Sequence, residues 1–372
     1  MRSFHSLKLL ALSTIAVFPA VSSAQTTVYS NVVGFDTVTC STGTTGGLGS
    51  DSMVSASMHQ CPEFVGSVGT VAGTTISPSV AVTWTINQFR SGGALSHYVR
   101  MTSGAQNGQY YDVLSNTASG IVLDTSGMPV PAPGDSFKVI PFWTLDTLFP
   151  PATQTTFIVS GGTATFLKRS SLFLPDFVTT GINLVFAEEY IITSAGWQRV
   201  SAGFPAAGED VIRPDVPFTI RHKKPSLSGV ASTQYVISGE VSYDAAAVNA
   251  ATQTGTQQQD NAVAFQRPVD VEIQDLGFVG GSGGVGTYDF EVSSGTATFQ
   301  RKDRLLVFDY STPGINKVAT RQYIMVGTNW VRIDTGFPIA NTDVISSSTG
   351  LVIRKYQTSG GFSSVTINTP NY

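Results

Sequence analysis

The feature that most constrains the fold of this chain is an internal repeat at an offset of 133 residues. Residues 162–221 match residues 295–354 without a gap, and 25 of the 60 aligned positions are identical. The longest identical strings are Gly162-Thr163-Ala164-Thr165-Phe166 and Gly295-Thr296-Ala297-Thr298-Phe299. Because a solenoid needs at least about three stacked units, two copies predict a pair of similar domains instead.

Several residues with distinctive chemistry recur in both copies. They include Gly181-Ile182-Asn183 with Gly314-Ile315-Asn316, Trp197 with Trp330, Arg199 with Arg332, and Asp210 with Asp343. Core packing constrains both copies equally, which favours two buried tryptophans, each with an arginine–aspartate pair at its rim. An alternative interpretation makes each tryptophan, with its nearby arginine, a platform that binds polysaccharide. Solvent exposure of the two indoles separates these hypotheses.

Local patterns favour β-strands almost throughout the chain. Runs such as Ile121-Val122-Leu123 and Tyr323-Ile324-Met325-Val326 are β-branched or aromatic and are bounded by turn-forming residues. Asn107-Gly108 lies between two such runs and is typical of a hairpin turn. The sequence therefore predicts an all-β protein made of antiparallel β-sandwich or barrel-like modules with an internal duplication.

The N-terminal residues are typical of a secretory signal peptide. Arg2 and Lys8 form a short basic region, an apolar run follows at 9–20, and small residues precede a predicted cut before Gln25. The apolar run is too short to cross a bilayer, which takes about 20 residues. We therefore expect residues 1–24 to be removed. The mature chain, without a membrane span, is then expected in the periplasm, at the cell surface or outside the cell.

Two cysteines remain after the predicted cut. Cys40 and Cys61 both lie among Gly, Ser and Thr residues, and in an oxidising compartment we expect them to form a disulfide. Two separate buried thiols are the alternative. A metal site is less favoured because no histidine or second cysteine pair completes a ligand set.

Composition along the chain predicts four parts after the signal peptide. We expect an N-terminal β domain at 25–135, a first β module at 136–244, and a second β module at 261–372 that duplicates the first. The segment 245–260 is rich in Ala, Asn, Thr and Gln and is predicted to be a linker.

Several stretches carry a resemblance to a known family. They are Val28-Tyr29-Ser30-Asn31-Val32-Val33-Gly34-Phe35, the hairpin at Asn107-Gly108, Pro141-Phe142-Trp143-Thr144-Leu145-Asp146-Thr147-Leu148-Phe149-Pro150, Asp260-Asn261 and Arg267-Pro268-Val269-Asp270-Val271. Together they are similar to a family of uncharacterised exported proteins from Verrucomicrobia-type bacteria. The resemblance spans nearly all of the mature chain. It implies a cell-envelope or secreted setting, and it carries no activity, ligand or catalytic residue with it.

Charge and histidine content argue against two classes of function. Without Arg2 and Lys8 the chain has 19 basic and 25 acidic residues, so nucleic acid is not an expected partner. His59, His97 and His222 lie in no recognisable catalytic motif. His222 stands beside two lysines and is predicted to lie in a solvated turn.

No cofactor or metal is expected from the motifs. The glycine run at 281–286 precedes a strand pattern rather than a helix, so it is interpreted as a hairpin loop and not as a dinucleotide site. No calcium-loop spacing is present.

The sequence hypothesis is a non-catalytic exported structural or surface protein that acts in cell-envelope assembly or adhesion. Its partners would be copies of itself or other envelope components. A carbohydrate-binding protein that uses Trp197 and Trp330 is the alternative. A secreted hydrolase is less favoured, and it would need converging carboxylates or a Ser–His pair in one pocket.

Overall fold

Strands form nearly all of the regular structure, which confirms the predicted all-β class. The computed structural model of the chain describes residues 32–44, 47–90, 92–252, 257–276, 290–308, 312–356 and 361–367. The predicted signal peptide and the glycine run at 281–286 lie outside the described residues. No helix in these ranges is both long enough and apolar enough to cross a membrane.

The first two strands pair with strands much later in the chain, and the strands of a barrel lie between them in sequence. These first two strands are β1 (Val33–Ser41) and β2 (Ser50–Val54). The barrel strands follow as β3 (Phe64–Ala72), β4 (Thr75–Pro78), β5 (His97–Met101), β6 (Tyr110–Asn116), β7 (Ile121–Asp124) and β8 (Ser136–Pro141). They close in the order β3-β4-β7-β6-β5-β8, with every pairing antiparallel.

The barrel interior is filled by alternate apolar side chains. Val99, Val113 and Val139 are buried there around Phe89. The hairpin predicted at Asn107-Gly108 joins β5 and β6: the Gly108 N–H donates to the Met101 carbonyl at 2.9 Å, and Gly108 has φ of 86°. Glycine suits this position because positive φ carries no Cβ clash.

A first sandwich forms after the barrel. Its elements are β9 (Trp143–Thr144), α1 (Leu145–Leu148), β10 (Ser170–Pro175), β11 (Phe186–Thr193), β12 (Gly196–Arg199), β13 (Val211–Ile212), β14 (Phe218–His222), α2 (Pro225–Ser228) and β15 (Ser232–Glu240). One sheet has the order β12-β11-β10-β14-β2, and β1 pairs with β15 in a second layer. Leu172 and Ile220 of the sheet pack against Tyr235 and Ile237 of β15.

A second sandwich follows with the same plan. Its elements are β16 (Ala246–Thr252), β17 (Gln258–Val263), β18 (Val271–Glu272), a 3₁₀ turn at Ile273–Leu276, a 3₁₀ turn at Thr298–Gln300, β19 (Arg304–Val307), β20 (Arg321–Val326), β21 (Asn329–Arg332), β22 (Val344–Ile345), β23 (Leu351–Tyr356) and β24 (Gly361–Ile367). Its sheet has the order β21-β20-β19-β23-β17, and β16 pairs with β24. At the offset of 133 residues, β19 to β23 take the places of β10 to β14.

Strand pairing crosses the boundaries predicted from the sequence. Strands β1 and β2 lie in the range 25–135 but pair with β15 and β14 of the first sandwich, and β8 belongs to the barrel. Strand β16 lies in the predicted linker 245–260, where small side chains such as Ala247 are buried and the Ala247 N–H donates to the Gly108 carbonyl at 3.0 Å. The segment was predicted to be a linker because it has few large apolar residues. Its small alanine side chains instead allow the strand to approach the barrel closely.

The expected disulfide is not formed. Cys40 is buried in the core of the first sandwich, whereas Cys61 is exposed in the segment that leads to the barrel. Burial raises the pKa of the Cys40 thiol to about 11. The two thiols are separated because β1 directs Cys40 inward, toward the strands with which it packs.

Candidate functional site

Both repeated tryptophans lie in sandwich cores. Trp197 is 2% exposed, and its Nε1 donates to the Phe149 carbonyl at 3.0 Å. Its ring lies edge-on to Phe157, with centroids 4.9 Å apart. Trp330 is 3% exposed and packs on Phe290, also with centroids 4.9 Å apart. Neither indole presents an open face to a sugar ring.

The arginines near the tryptophans form the expected pairs with aspartate. Arg199 Nη2 lies 2.7 Å from Asp210 Oδ2, and Arg332 Nη1 lies 3.1 Å from Asp343 Oδ2. The hydrogen bond that Arg199 donates to the Asp210 carboxylate raises the pKa of the Arg199 guanidinium. Each pair ties the end of a strand to the loop that precedes β13 or β22. These residues therefore organise their own sandwich.

A Ser–His contact is present but is enclosed in the first sandwich. Ser170 Oγ and His222 Nδ1 are 2.6 Å apart, and Nε2 of the same ring lies 2.8 Å from Thr233 Oγ1. Both Ser170 and His222 are 1% exposed, so the solvated turn predicted for His222 is wrong. Strand β14 directs the imidazole inward, and no carboxylate orients it as in a catalytic triad.

The second sandwich replaces this pair by a different one. Asp303 and Lys355 stand at the corresponding positions and form a buried ion pair. Asp303 also accepts the Glu291 N–H at 2.8 Å, just as Ser170 accepts the Ile158 N–H at 3.0 Å. Two different pairs of side chains therefore occupy the same buried position in the two sandwiches. What both pairs share is that they provide hydrogen-bond partners for polar groups buried there.

Protonation of His222 is expected to destabilise the protein at acid pH. Burial lowers the pKa of His222 to about 4, whereas a histidine in the unfolded chain titrates near 6.5. The unfolded chain then binds more protons between these values, so the free energy of unfolding falls by about 3 kcal/mol as the pH drops through this window. Urea unfolding at about pH 7 and about pH 4 measures the loss. His222→Gln is expected to lose less stability over the same range, and an equal loss would contradict this role.

The two sandwiches dock through reciprocal contacts. Arg221 Nε and Nη2 donate to the two carboxylate oxygens of Asp51 at 2.6 and 2.8 Å, and Nη2 also reaches Asn316 Oδ1 of the second sandwich at 2.7 Å. The Asn316 N–H donates to Asp51 Oδ2 at 2.8 Å. A loop of the second sandwich thus completes an ion pair of the first.

The same contact occurs with the sandwiches exchanged. Arg354 Nε and Nη2 donate to Asp260 at 2.6 and 2.8 Å, and Nη2 reaches Asn183 Oδ1 of the first sandwich at 3.0 Å. The Asn183 N–H donates to Asp260 Oδ2 at 2.7 Å. Such exchanged contacts are those of a two-fold, self-complementary interface.

This interface explains the recurring Gly-Ile-Asn strings. Asn183 and Asn316 have φ of 54° and 50°, a left-handed conformation that asparagine tolerates better than most residues. The carbonyls of Gly181 and Gly314 accept the N–H groups of Asp260 and Asp51 at 2.9 and 2.8 Å. The strings are retained because each forms half of the junction.

The identical Gly-Thr-Ala-Thr-Phe strings form two exposed turns. In the first, the Leu167 N–H donates to the Ala164 carbonyl at 2.8 Å; in the second, the Gln300 N–H donates to the Ala297 carbonyl at 2.8 Å. Phe166 and Phe299 are 77% and 86% exposed, although they are identical residues at equivalent positions. Core packing cannot account for their presence in both copies.

Basic residues stand directly behind both turns. Arg169 Nη1 donates to the Phe166 carbonyl at 3.0 Å, and Arg301 Nε donates to the Thr296 carbonyl at 2.7 Å. We call residues 162–169 and 295–302 the phenylalanine loops. Sequence reasoning noted their identity but missed their exposure. One sequence pattern does indicate this exposure. In both copies the phenylalanine ends a Gly/Thr-rich turn and is not part of a strand pattern in which apolar and polar residues alternate.

The remaining His, Cys, Asp and Glu side chains of the described ranges are the candidate metal ligands. No group of three or more His, Cys, Asp or Glu side chains in these ranges is placed to hold a metal ion. His97 lies 3.2 Å from Glu63 at the barrel, and burial lowers the pKa of His59 to about 4.

Comparison with known protein families, curated proteins and solved structures finds no match for this chain.

Proposed function

We propose that this is an exported, non-catalytic surface protein that acts in cell-envelope assembly or adhesion through its two phenylalanine loops. The observation that carries this proposal is the exposure of Phe166 and Phe299, at 77% and 86%, in identical turns on both sandwiches. Single exposed apolar side chains are common on protein surfaces, so the recurrence of the same exposed ring in the same turn of both sandwiches is what supports a contact surface. The signal-like N-terminus and the family resemblance support export and an envelope setting.

The use of the other shared residues supports the same conclusion. Trp197 and Trp330 fill cores, and Asn183 and Asn316 join the sandwiches. Among the tryptophan, asparagine and phenylalanine pairs, Phe166 and Phe299 are the apolar side chains directed to solvent. Two equal contact sites on one molecule can bridge two partners or bind one surface with increased avidity. Copies of this chain or other envelope components would be the partners.

Replacing Phe166 and Phe299 by serine is expected to abolish assembly or envelope binding without unfolding the protein. Because both side chains are exposed, each change should alter the free energy of unfolding by no more than about 0.5 kcal/mol. Light scattering over a range of concentrations reports self-assembly, and sedimentation with isolated envelopes and a polysaccharide panel reports binding. Either single variant should be intermediate, because one loop remains.

Phe35→Ser is the matched control, since Phe35 is also 77% exposed but lies on β1, outside both loops. It should leave binding unchanged. Retained assembly and envelope binding in the folded double variant would contradict the proposal. Turnover of any panel polysaccharide by the purified protein would contradict a non-catalytic role.

A further inference from the structure

A cleft of about 590 Å³ lies between the two five-stranded sheets, at the junction of the sandwiches. Its walls are the sheet faces that point away from the cores. Met53, Thr219 and Phe186 line it from the first sandwich, and Ala262, Val352 and Leu306 line it from the second. This volume is in the range of sites that enclose a small organic molecule, about 300–1,000 Å³.

Small side chains on one wall leave this space open. Ala262 faces Val352 in the second sheet, as Met53 faces Thr219 in the first, so Ala262 stands where the other copy has methionine. Ala319 stands where the other copy has Phe186. A purely structural interface would gain stability by filling such a space.

The charges at the cleft balance once Arg221, which does not line it, is counted with its lining partner Asp51. Asp51 and Asp260 are each held by two hydrogen bonds from an arginine, Arg221 and Arg354 respectively. Asp176 and Lys317 add one charge of each sign to the lining. Because these charges cancel, they would not attract a charged ligand, and the lining favours a neutral one.

Two valines at the mouth of the cleft are also shared by the copies. Val185 and Val318 line the cleft and are 77% and 82% exposed, two residues beyond the asparagines that form the junction. Neither core packing nor the docking contacts require an exposed valine at these positions. Both are placed to contact a molecule that enters between the sheets.

We propose that this cleft binds a small, neutral, predominantly apolar organic molecule. The ligand would lie between the two sheet faces, with its apolar surface on Met53, Phe186 and Leu306 and its open end between the two valines. The proposal does not rest on the function assigned to the phenylalanine loops, and either can fail alone.

The neutral fluorescent probe N-phenyl-1-naphthylamine tests the site in the full chain. The wild-type protein is expected to bind the probe saturably. Ala262→Met and, separately, Ala319→Phe insert the side chain that the other copy has, and each is expected to weaken binding by about tenfold or more. Urea unfolding should show unchanged or increased stability for at least one of them.

Ala118→Met is the control, because Ala118 is exposed on the barrel and does not line the cleft. It should bind the probe as the wild type does. Absence of saturable binding by the wild-type protein would overturn the proposal. Equal affinity in wild type and in both filled, folded variants would overturn it too, because the probe would then bind elsewhere.

Discussion

Replacing Lys355 by methionine is expected to lower the free energy of unfolding by about 3–5 kcal/mol at neutral pH. Lys355 is 2% exposed and Asp303 is fully buried, so the variant leaves an unpaired carboxylate in the core of the second sandwich. The N–H groups of Glu291 and Tyr356 still donate to Asp303, at 2.8 and 2.7 Å, but they carry no full positive charge. Urea unfolding monitored by circular dichroism measures the loss.

The pH dependence of this variant has a definite sign. Burial raises the pKa of Asp303, and the Lys355 ammonium acts against that rise. Without the ammonium, a proton taken up by the folded state relieves the unpaired charge. The deficit of Lys355→Met relative to wild type is therefore expected to shrink as the pH is lowered.

The first sandwich supplies a matched rescue. Asp303→Ser combined with Lys355→His installs the pair that the first sandwich has in Ser170 and His222. The double variant is expected to be more stable than Lys355→Met, because no charge is then buried without a partner. A loss below about 1 kcal/mol in Lys355→Met would contradict a buried ion pair at this position.

Truncation of either repeated tryptophan is expected to be nearly as damaging. Trp197→Ala and Trp330→Ala should each lower the free energy of unfolding by about 3–5 kcal/mol, because each leaves a large cavity in a packed core. Trp197→Ala also leaves the Phe149 carbonyl without its indole donor. Thermal and urea unfolding of the two variants provide the measurement.

An exposed aromatic in the same sandwich provides the comparison. Phe166→Ala removes a ring that is 77% exposed and should change the free energy of unfolding by no more than about 0.5 kcal/mol. If Trp197→Ala proved as mild as Phe166→Ala, the indole would have to be at the surface. That result would support the alternative hypothesis that the tryptophans bind carbohydrate.

Sequence patterns predicted the features that depend on neighbouring residues. The all-β class and the Asn107-Gly108 hairpin follow from local alternation and turn chemistry. Burial of Trp197 and Trp330 follows from their recurrence, since both copies must fill an equivalent core.

Features that depend on distant pairings could not be read in this way. Asp51 forms an ion pair with Arg221, which lies 170 positions later in the chain. Because the barrel comes between them in the sequence, no local pattern indicates that β2 belongs to the first sandwich. Strand β17 occupies the equivalent place in the second sandwich, but no comparable domain separates it from the rest of its fold. Local periodicity indicates that a segment forms a strand, but it does not indicate which other strand it pairs with.

The errors at single residues have the same origin. Cys40 and Cys61 are close in sequence, but the strand register turns one thiol into a core and leaves the other exposed. His222 follows a strand pattern and precedes two lysines, so its local context resembles a surface turn. Its buried partner Ser170 is contributed by a different strand.

Hydroxyl-radical footprinting read out by mass spectrometry tests most directly the claim that the shared tryptophans are internal whereas the shared phenylalanines of the two loops face solvent. We expect Trp197 and Trp330 to be protected in the folded protein, whereas Phe166 and Phe299 react at the rate of freely exposed side chains. Tryptophans that react as in the unfolded chain, or phenylalanines that are protected in the monomer, would contradict this account.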